Sequence, residues 1–207
     1  MHIARRTYQS PICSSRTVLI VVDMQNAFLE KNALIPMIKT RKIIPNISKL
    51  IKIARRNEIN VVWTRAHHNS LSNSEYKRLH PTHFDSEGMP FLTTNSRHFE
   101  IIDELSFLIE PMDIIVDKDW FSAFHGTNLY SRLRGRNIQY ILFSGIATNI
   151  CVESTLRDAV QLDFTSILVS DCSATLTNKM HEASLNNISL VFGYVMEMNE
   201  IAGRLSN

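Results

Sequence analysis

The chain has little cysteine, glycine or proline: three, six and six residues among 207. Cys13, Cys151 and Cys172 are too few and too scattered for a disulfide framework, and no Cys-x-x-Cys pair marks a zinc site. No segment is of low complexity and none repeats. The longest apolar run, Val18 to Val22, is far too short to span a bilayer. Nothing before it has the apolar core of a secretory signal, so the expected setting is reducing and cytoplasmic. Charge of one sign is also missing. A formal net charge of +2 gives no electrostatic footprint for nucleic acid or for an anionic membrane. What remains is an ordinary globular composition, 44% hydrophobic and 20% charged, long enough for one domain with a substantial core.

The pattern along the chain alternates. Residues 1–16 are mixed and polar and read as an arm, leaving 17–207 as the domain. Thr17 to Val22 (TVLIVV) is β-branched and apolar throughout, as a strand covered on both faces requires. Arg41 to Asn57 carries apolar residues at Ile44, Ile47, Leu50, Ile51 and Ala54, a helical period. Strands are expected at Asn60–Thr64, Asp113–Val116, Tyr140–Phe143, Thr165–Val169 and Ile188–Phe192. Helices are expected at Ile101–Ile109, Asn128–Arg134, Val152–Leu162 and Lys179–Asn187, with one more at the C-terminus. Arg65 to Pro90 has no period and reads as loop with one helical turn. This alternation predicts an α/β fold, a single-domain, doubly wound, mainly parallel six-stranded sheet with helices on both faces.

Ligands of such sheets lie beyond the carboxyl ends of the strands. There the first strand ends at Asp23, the third at Lys118, and the fourth leads through a glycine-containing turn to Cys151. A cysteine where a helix opens is favoured as thiolate by the peptide dipoles and by a nearby cation. Asp23 can take the thiol proton and return it to a leaving amine, Lys118 can hold Asp23 and stabilise the thiolate, and backbone N–H groups of the turn can receive an oxyanion. Each residue also has a plainer role open to it: Cys151 as a small buried hydrophobe, Asp23 as a local cap, Lys118 as a solvated loop lysine. Asn26, close behind Asp23, His67, Trp120 and Phe121 are candidate substrate contacts. His68 is expected in an exposed loop role and His80 and His83 in a solvated or lid-like loop.

The segments DMQNAF at Asp23, Lys118, FSGIATNICVESTLRDA around Cys151 and NNISLVFGYV late in the chain together resemble the isochorismatase-like cysteine hydrolases, over about Thr17 to Tyr194. The wording is most similar to the ureidoacrylate/carbamoyl amidohydrolase branch of that superfamily. The resemblance implies a Cys151–Asp23–Lys118 triad cleaving an amide or ureido C–N bond of a small molecule through a thioester-type intermediate. It also implies a non-proline cis peptide at Ile146–Ala147, with the Ala147 and Cys151 N–H groups forming the oxyanion hole, and a homo-oligomer, dimer or tetramer. Nicotinamidases of the superfamily carry an Asp-x-His segment for a metal, whereas the corresponding stretch reads Thr64-Arg65-Ala66-His67-His68. No metal and no cofactor are therefore expected. A nicotinamidase-like amidase and an inactive member serving as a binding subunit are the alternatives.

Overall fold

The computed structural model describes residues 5–31, 33, 35–69 and 75–206. The first strand, Thr17–Val22, is buried along its whole length and shows how the two layers are built. Leu19 and Val21 point to one face, where Ile44, Ile47, Leu50, Ile51 and Ala54 of helix Ile44–Arg56 pack on them. Val18, Ile20 and Val22 point to the other, against Leu129 and Leu133 of helix Leu129–Arg134 and Leu156 and Ala159 of helix Glu153–Gln161. A period-two strand with no polar face thus feeds two cores, and hydrophobic burial on both sides holds it in register.

Second, third and fourth strands follow at Asn60–Ala66, Ile114–Lys118 and Tyr140–Ile146, and the fifth and sixth at Thr165–Ala174 and Tyr194–Met196. Counted this way, the sheet order is 3-2-1-4-5-6, parallel throughout. The order reverses between the first and fourth strands, where chain crossovers leave opposite faces and a crevice opens beyond the strand ends. Among the described residues no helix is long and apolar enough to cross a membrane.

Two expectations need correction. Ile188–Phe192 is not a strand but a π-helical turn prolonging helix Asn178–Asn187, and the sixth strand starts after Gly193. A five-residue run with four apolar residues does not separate strand from helix by period, and the exposure of Leu190 and Val191 shows the helical solution. The fifth strand runs on to Ala174; its pairing with the fourth jumps from Phe143–Leu168 to Gly145–Ser173, so residues 169–172, with Ser170 and Asp171 among them, bulge rather than end it. The arm is tied to the body at Ile12, which is fully buried in a two-residue parallel pairing of Ile12–Cys13 with Leu205–Ser206. Of the expected loop Arg65 to Pro90, residues 70–74 lie outside the described residues.

Gly145 sets how closely the first and fourth strands meet at the crevice. It lies at φ +101°, and a Cβ there would sit 2.1 Å from the carbonyl oxygen of Val22, the residue before Asp23. Backbone cannot yield that space. Gly145→Ala is therefore expected to cost at least about 3 kcal/mol, read as a fall in thermal midpoint of roughly 6 °C or more, or as loss of folded protein. Gly126→Ala, at φ +68° with open space around the new methyl, serves as control and should cost only about 1 kcal/mol.

Candidate active site

Three neighbouring strand ends converge on one buried ion pair. Asp23 follows the first strand in a left-handed conformation, φ +49°, and is 1% exposed. Its N–H is shared between the carbonyl and the hydroxyl of Thr64, each at 3.2 Å, and the Thr64 hydroxyl donates to Asp23 Oδ1 at 2.5 Å. The other carboxylate oxygen, Oδ2, lies 2.8 Å from Nζ of Lys118, whose side chain is wholly buried. Lys118 Nζ also donates to the Trp120 carbonyl at 3.0 Å. Burial alone would push the lysine down; the Asp23 carboxylate and the hydrogen bonds the lysine makes to Asp23 and to the Cys151 sulfur outweigh that and hold it above its ordinary range, a fixed ammonium.

Cys151 occupies a π-helical turn, Thr148–Val152, ahead of the helix Glu153–Gln161. The sequence places it at the start of an ordinary helix; the widened turn intervenes, a feature that often re-aims side chains at functional sites. The turn is fastened from several sides. The Ala147 carbonyl accepts from the N–H groups of Ile150 (3.0 Å) and Val152 (3.2 Å), and Thr155 Oγ1 donates to the Cys151 carbonyl at 2.7 Å. Thr148 Oγ1 meets His181 Nδ1 at 2.9 Å, and Thr175 donates to Asn149 Oδ1 at 2.6 Å. The Ile146–Ala147 peptide is cis.

The thiol itself departs from the sequence reading. Burial first, then the Asp23 carboxylate, push it up to about 12, while Lys118 pulls the other way. The helix start and the cation do not outweigh desolvation, so the resting group is the neutral thiol. With Lys118 present, one negative charge is balanced in the cluster, and it rests on the carboxylate that already accepts a hydrogen bond from Thr64.

Asp23, Lys118, Ala147 and Cys151 line one cavity of about 240 Å³. Trp120 and Phe121 line it too, as expected of candidate contacts. Asn26 and His67 do not. Asn26 turns away, its Nδ2 donating to the Arg97 carbonyl at 3.0 Å, and it borders a separate surface pocket. His67 faces Asp119, with Nδ1 3.1 Å from Oδ1, and its ring packs edge-on against Phe99. Arg65, two residues before His67, is held by Asp117 at 2.7 and 2.9 Å. The residues facing the cavity instead are His68, Tyr76, His80 and His83. His68, expected in an exposed loop, is 4% exposed. Their only mark in the sequence is an aperiodic stretch rich in His and aromatic residues. Glu153 and Arg157 form the helix-face pair their spacing predicts. Among the described residues, no group of three or more His, Cys, Asp or Glu is placed to hold a metal ion.

Comparison with known proteins agrees with this fold. Residues 17–200 match the family described as Isochorismatase domain. The ureidoacrylate amidohydrolase RutB of Acinetobacter baylyi is 32% identical over 203 residues, covering 90% of this chain and 82% of its own. A protein of Arabidopsis thaliana named as a probable inactive nicotinamidase is 32% identical over 171 residues, covering 82% of this chain and 86% of its own. Among solved structures, a cysteine hydrolase from Pseudomonas syringae pv. phaseolicola has a TM-score of 0.87 at 29% identity, covering 98% of each chain. The matched span holds all six strands of the main sheet together with Asp23, Lys118 and Cys151, and the protein belongs to the isochorismatase family.

Proposed function

We propose that the protein is a cysteine-dependent amidohydrolase that cleaves a C–N bond of a small ureido, carbamoyl or amide compound. The observation that carries this reading is the buried Asp23–Lys118 pair, at 2.8 Å, lining the same cavity as Cys151. A relative named as a ureidoacrylate amidohydrolase supports the substrate class.

In this mechanism the resting cluster holds an anionic Asp23, a cationic Lys118 and a protonated Cys151. As sulfur attacks the carbonyl carbon, Asp23 takes the thiol proton and the carbonyl oxygen gains the negative charge. The backbone N–H groups of Ala147 and Cys151 receive that oxyanion. Collapse of the tetrahedral adduct breaks the C–N bond, and Asp23 passes its proton to the departing nitrogen. Water then attacks the thioester-type intermediate with Asp23 again as base, and the thiol is regenerated when the proton returns to sulfur. Lys118 keeps its charge throughout, so a proton moving between two acidic groups never leaves the cluster with two unbalanced negative charges. A high resting thiol suits this sequence, because the proton leaves only when the attack begins.

Ammonia release across ureido acids, carbamoyl amines, biuret and nicotinamide tests the reading. Cys151→Ala should lower turnover by about 10⁴-fold or more while leaving the thermal midpoint intact; substantial residual hydrolysis would refute the nucleophile. No turnover of any compound by the wild type would favour a family member serving as a binding subunit.

Asp23→Asn separates thiol acidity from amide cleavage. It removes a charge that pushes the thiol up and leaves Lys118, so the thiolate fraction at pH 8 rises. Alkylation of Cys151 by iodoacetamide should then speed up by about tenfold, one pKa unit, while turnover is lost. Slower alkylation would show that Asp23 does not raise the thiol.

The ion pair has a separate stability signature. Lys118→Met leaves an uncompensated buried carboxylate and should lower unfolding free energy by about 3–5 kcal/mol at pH 7; the double variant Asp23→Leu/Lys118→Met should recover most of it. Additive losses in denaturant unfolding would contradict a coupled pair.

A further inference from the structure

The cavity wall also contains a second polar system. The Tyr76 hydroxyl lies 3.0 Å from His68 Nε2 and 2.9 Å from His83 Nδ1. One O–H has one proton, so it donates to one ring nitrogen and accepts from an N–H of the other; the two imidazoles are bound in opposite roles. His83 stacks on His68 with ring centres 5.4 Å apart and on His80 with centres 5.2 Å apart. Positive charges in face-to-face rings repel one another. Burial pushes His68 down to about 3, with His83 adding to it, and burial followed by His80 pushes His83 below its ordinary range.

The fixed charges facing the cavity are two carboxylates, Asp23 and Asp119, against one ammonium, Lys118, which Asp23 already engages. Asp119 is itself in contact with His67. Among the described lining residues there is no arginine. Residues 32, 34 and 70–74, which adjoin lining residues in sequence, are Asn, Leu and SLSNS and bear no charge. The rest of the wall is aromatic and aliphatic, with Trp120 and Phe121 packed against Tyr76. A carboxylate entering here would shed its water against π faces, beside a lysine that Asp23 already engages, whereas an amide or urea loses far less and can exchange hydrogen bonds with a hydroxyl and imidazoles.

We infer that the compound this cavity accepts is uncharged, a planar amide, urea or carbamoyl group on a short neutral substituent, and that Tyr76 with His68 and His83 is the positioning system that selects it. This rests on the amidohydrolase reading and narrows its substrate class, setting the chain apart from relatives whose named substrate is an acid.

The test is a matched pair of probes, 3-methylbutylurea and 3-ureidopropionate, in which an isopropyl group replaces a carboxylate. Binding is measured by calorimetry on the Cys151→Ala protein at pH 7.5, and ammonia release on the wild type. The neutral urea should bind about tenfold tighter or better. Tyr76→Phe, which removes the bridging hydroxyl, should weaken the urea by about tenfold and leave the anion unchanged. His83→Arg, which supplies a cation, should reverse the preference. Equal or tighter binding of the anion by the Cys151→Ala protein overturns the inference; so does undetectable binding of both probes. Discriminating binding with no wild-type turnover upholds the selectivity and refutes the amidohydrolase chemistry, so the two failures are told apart. The Cys151→Ala comparison decides the matter even where a cavity variant does not fold.

Discussion

The interaction on which the site depends is the ion pair between Asp23 and Lys118, buried on both sides and 2.8 Å long. Two charges taken out of water cost several kcal/mol each, and only close contact with saturated remaining valences offsets that. Here the offset is distributed over three strands. Asp23 follows the first, Lys118 ends the third, and the second lies between them and contributes Thr64, whose hydroxyl holds the carboxylate oxygen that Lys118 does not. The sheet order is therefore an electrostatic requirement as much as a packing one. Moving any of these strands by one residue would turn its polar terminus toward the opposite core.

From that pair the remaining geometry follows. Gly145 lets the fourth strand run against the Val22 backbone, which brings the turn carrying Cys151 to the same rim. The turn is π-helical and fastened by Thr155, Thr148 and Thr175, so the backbone that carries the thiol is held independently of the sulfur's own contacts with Asp23 and Lys118. Under the proposed chemistry this division is useful. The acid and the cation are immobile in the sheet, and the sulfur sits on a separately anchored turn whose position does not depend on its protonation state.

The residues that sequence reading identifies well share one property: their placement follows from strands buried on both faces. TVLIVV, VVW and ILF announce themselves by composition, and whatever stands at their carboxyl ends is brought to the rim by topology alone. That is why Asp23, Lys118 and Cys151 are legible together despite the distance between them in the chain. The protonation state of the thiol is not, because it is decided by desolvation, a property of all the surroundings and not of the helix start that sequence can see. The sixth strand is lost for another reason. A helix that continues through a π-turn into a glycine presents the same short apolar run as a strand, and only the exposure of Leu190 and Val191 tells the two apart.

The pair His67 and His68 marks the boundary of what such reading can do. Both follow a strand in extended backbone, where successive side chains take opposite sides. One must therefore face the cavity and the other leave it; sequence identifies the pair but assigns His67 inward and His68 outward, the reverse of the parity found. The parity is set by contacts outside the local segment: the His67 N–H donates to the Lys118 carbonyl, the His68 N–H to that of Leu92, and the Asp119 carboxylate captures the His67 ring. His68 is thereby turned toward Tyr76, a residue in a segment with no period of its own. Asn26 illustrates the same limit within three residues of Asp23, since its side chain is claimed by the Arg97 carbonyl from a distant loop. Chemistry anchored in the sheet is written locally, strand by strand. The cavity wall is written in pairings between loops, and each of those is fixed by a partner that lies elsewhere in the chain.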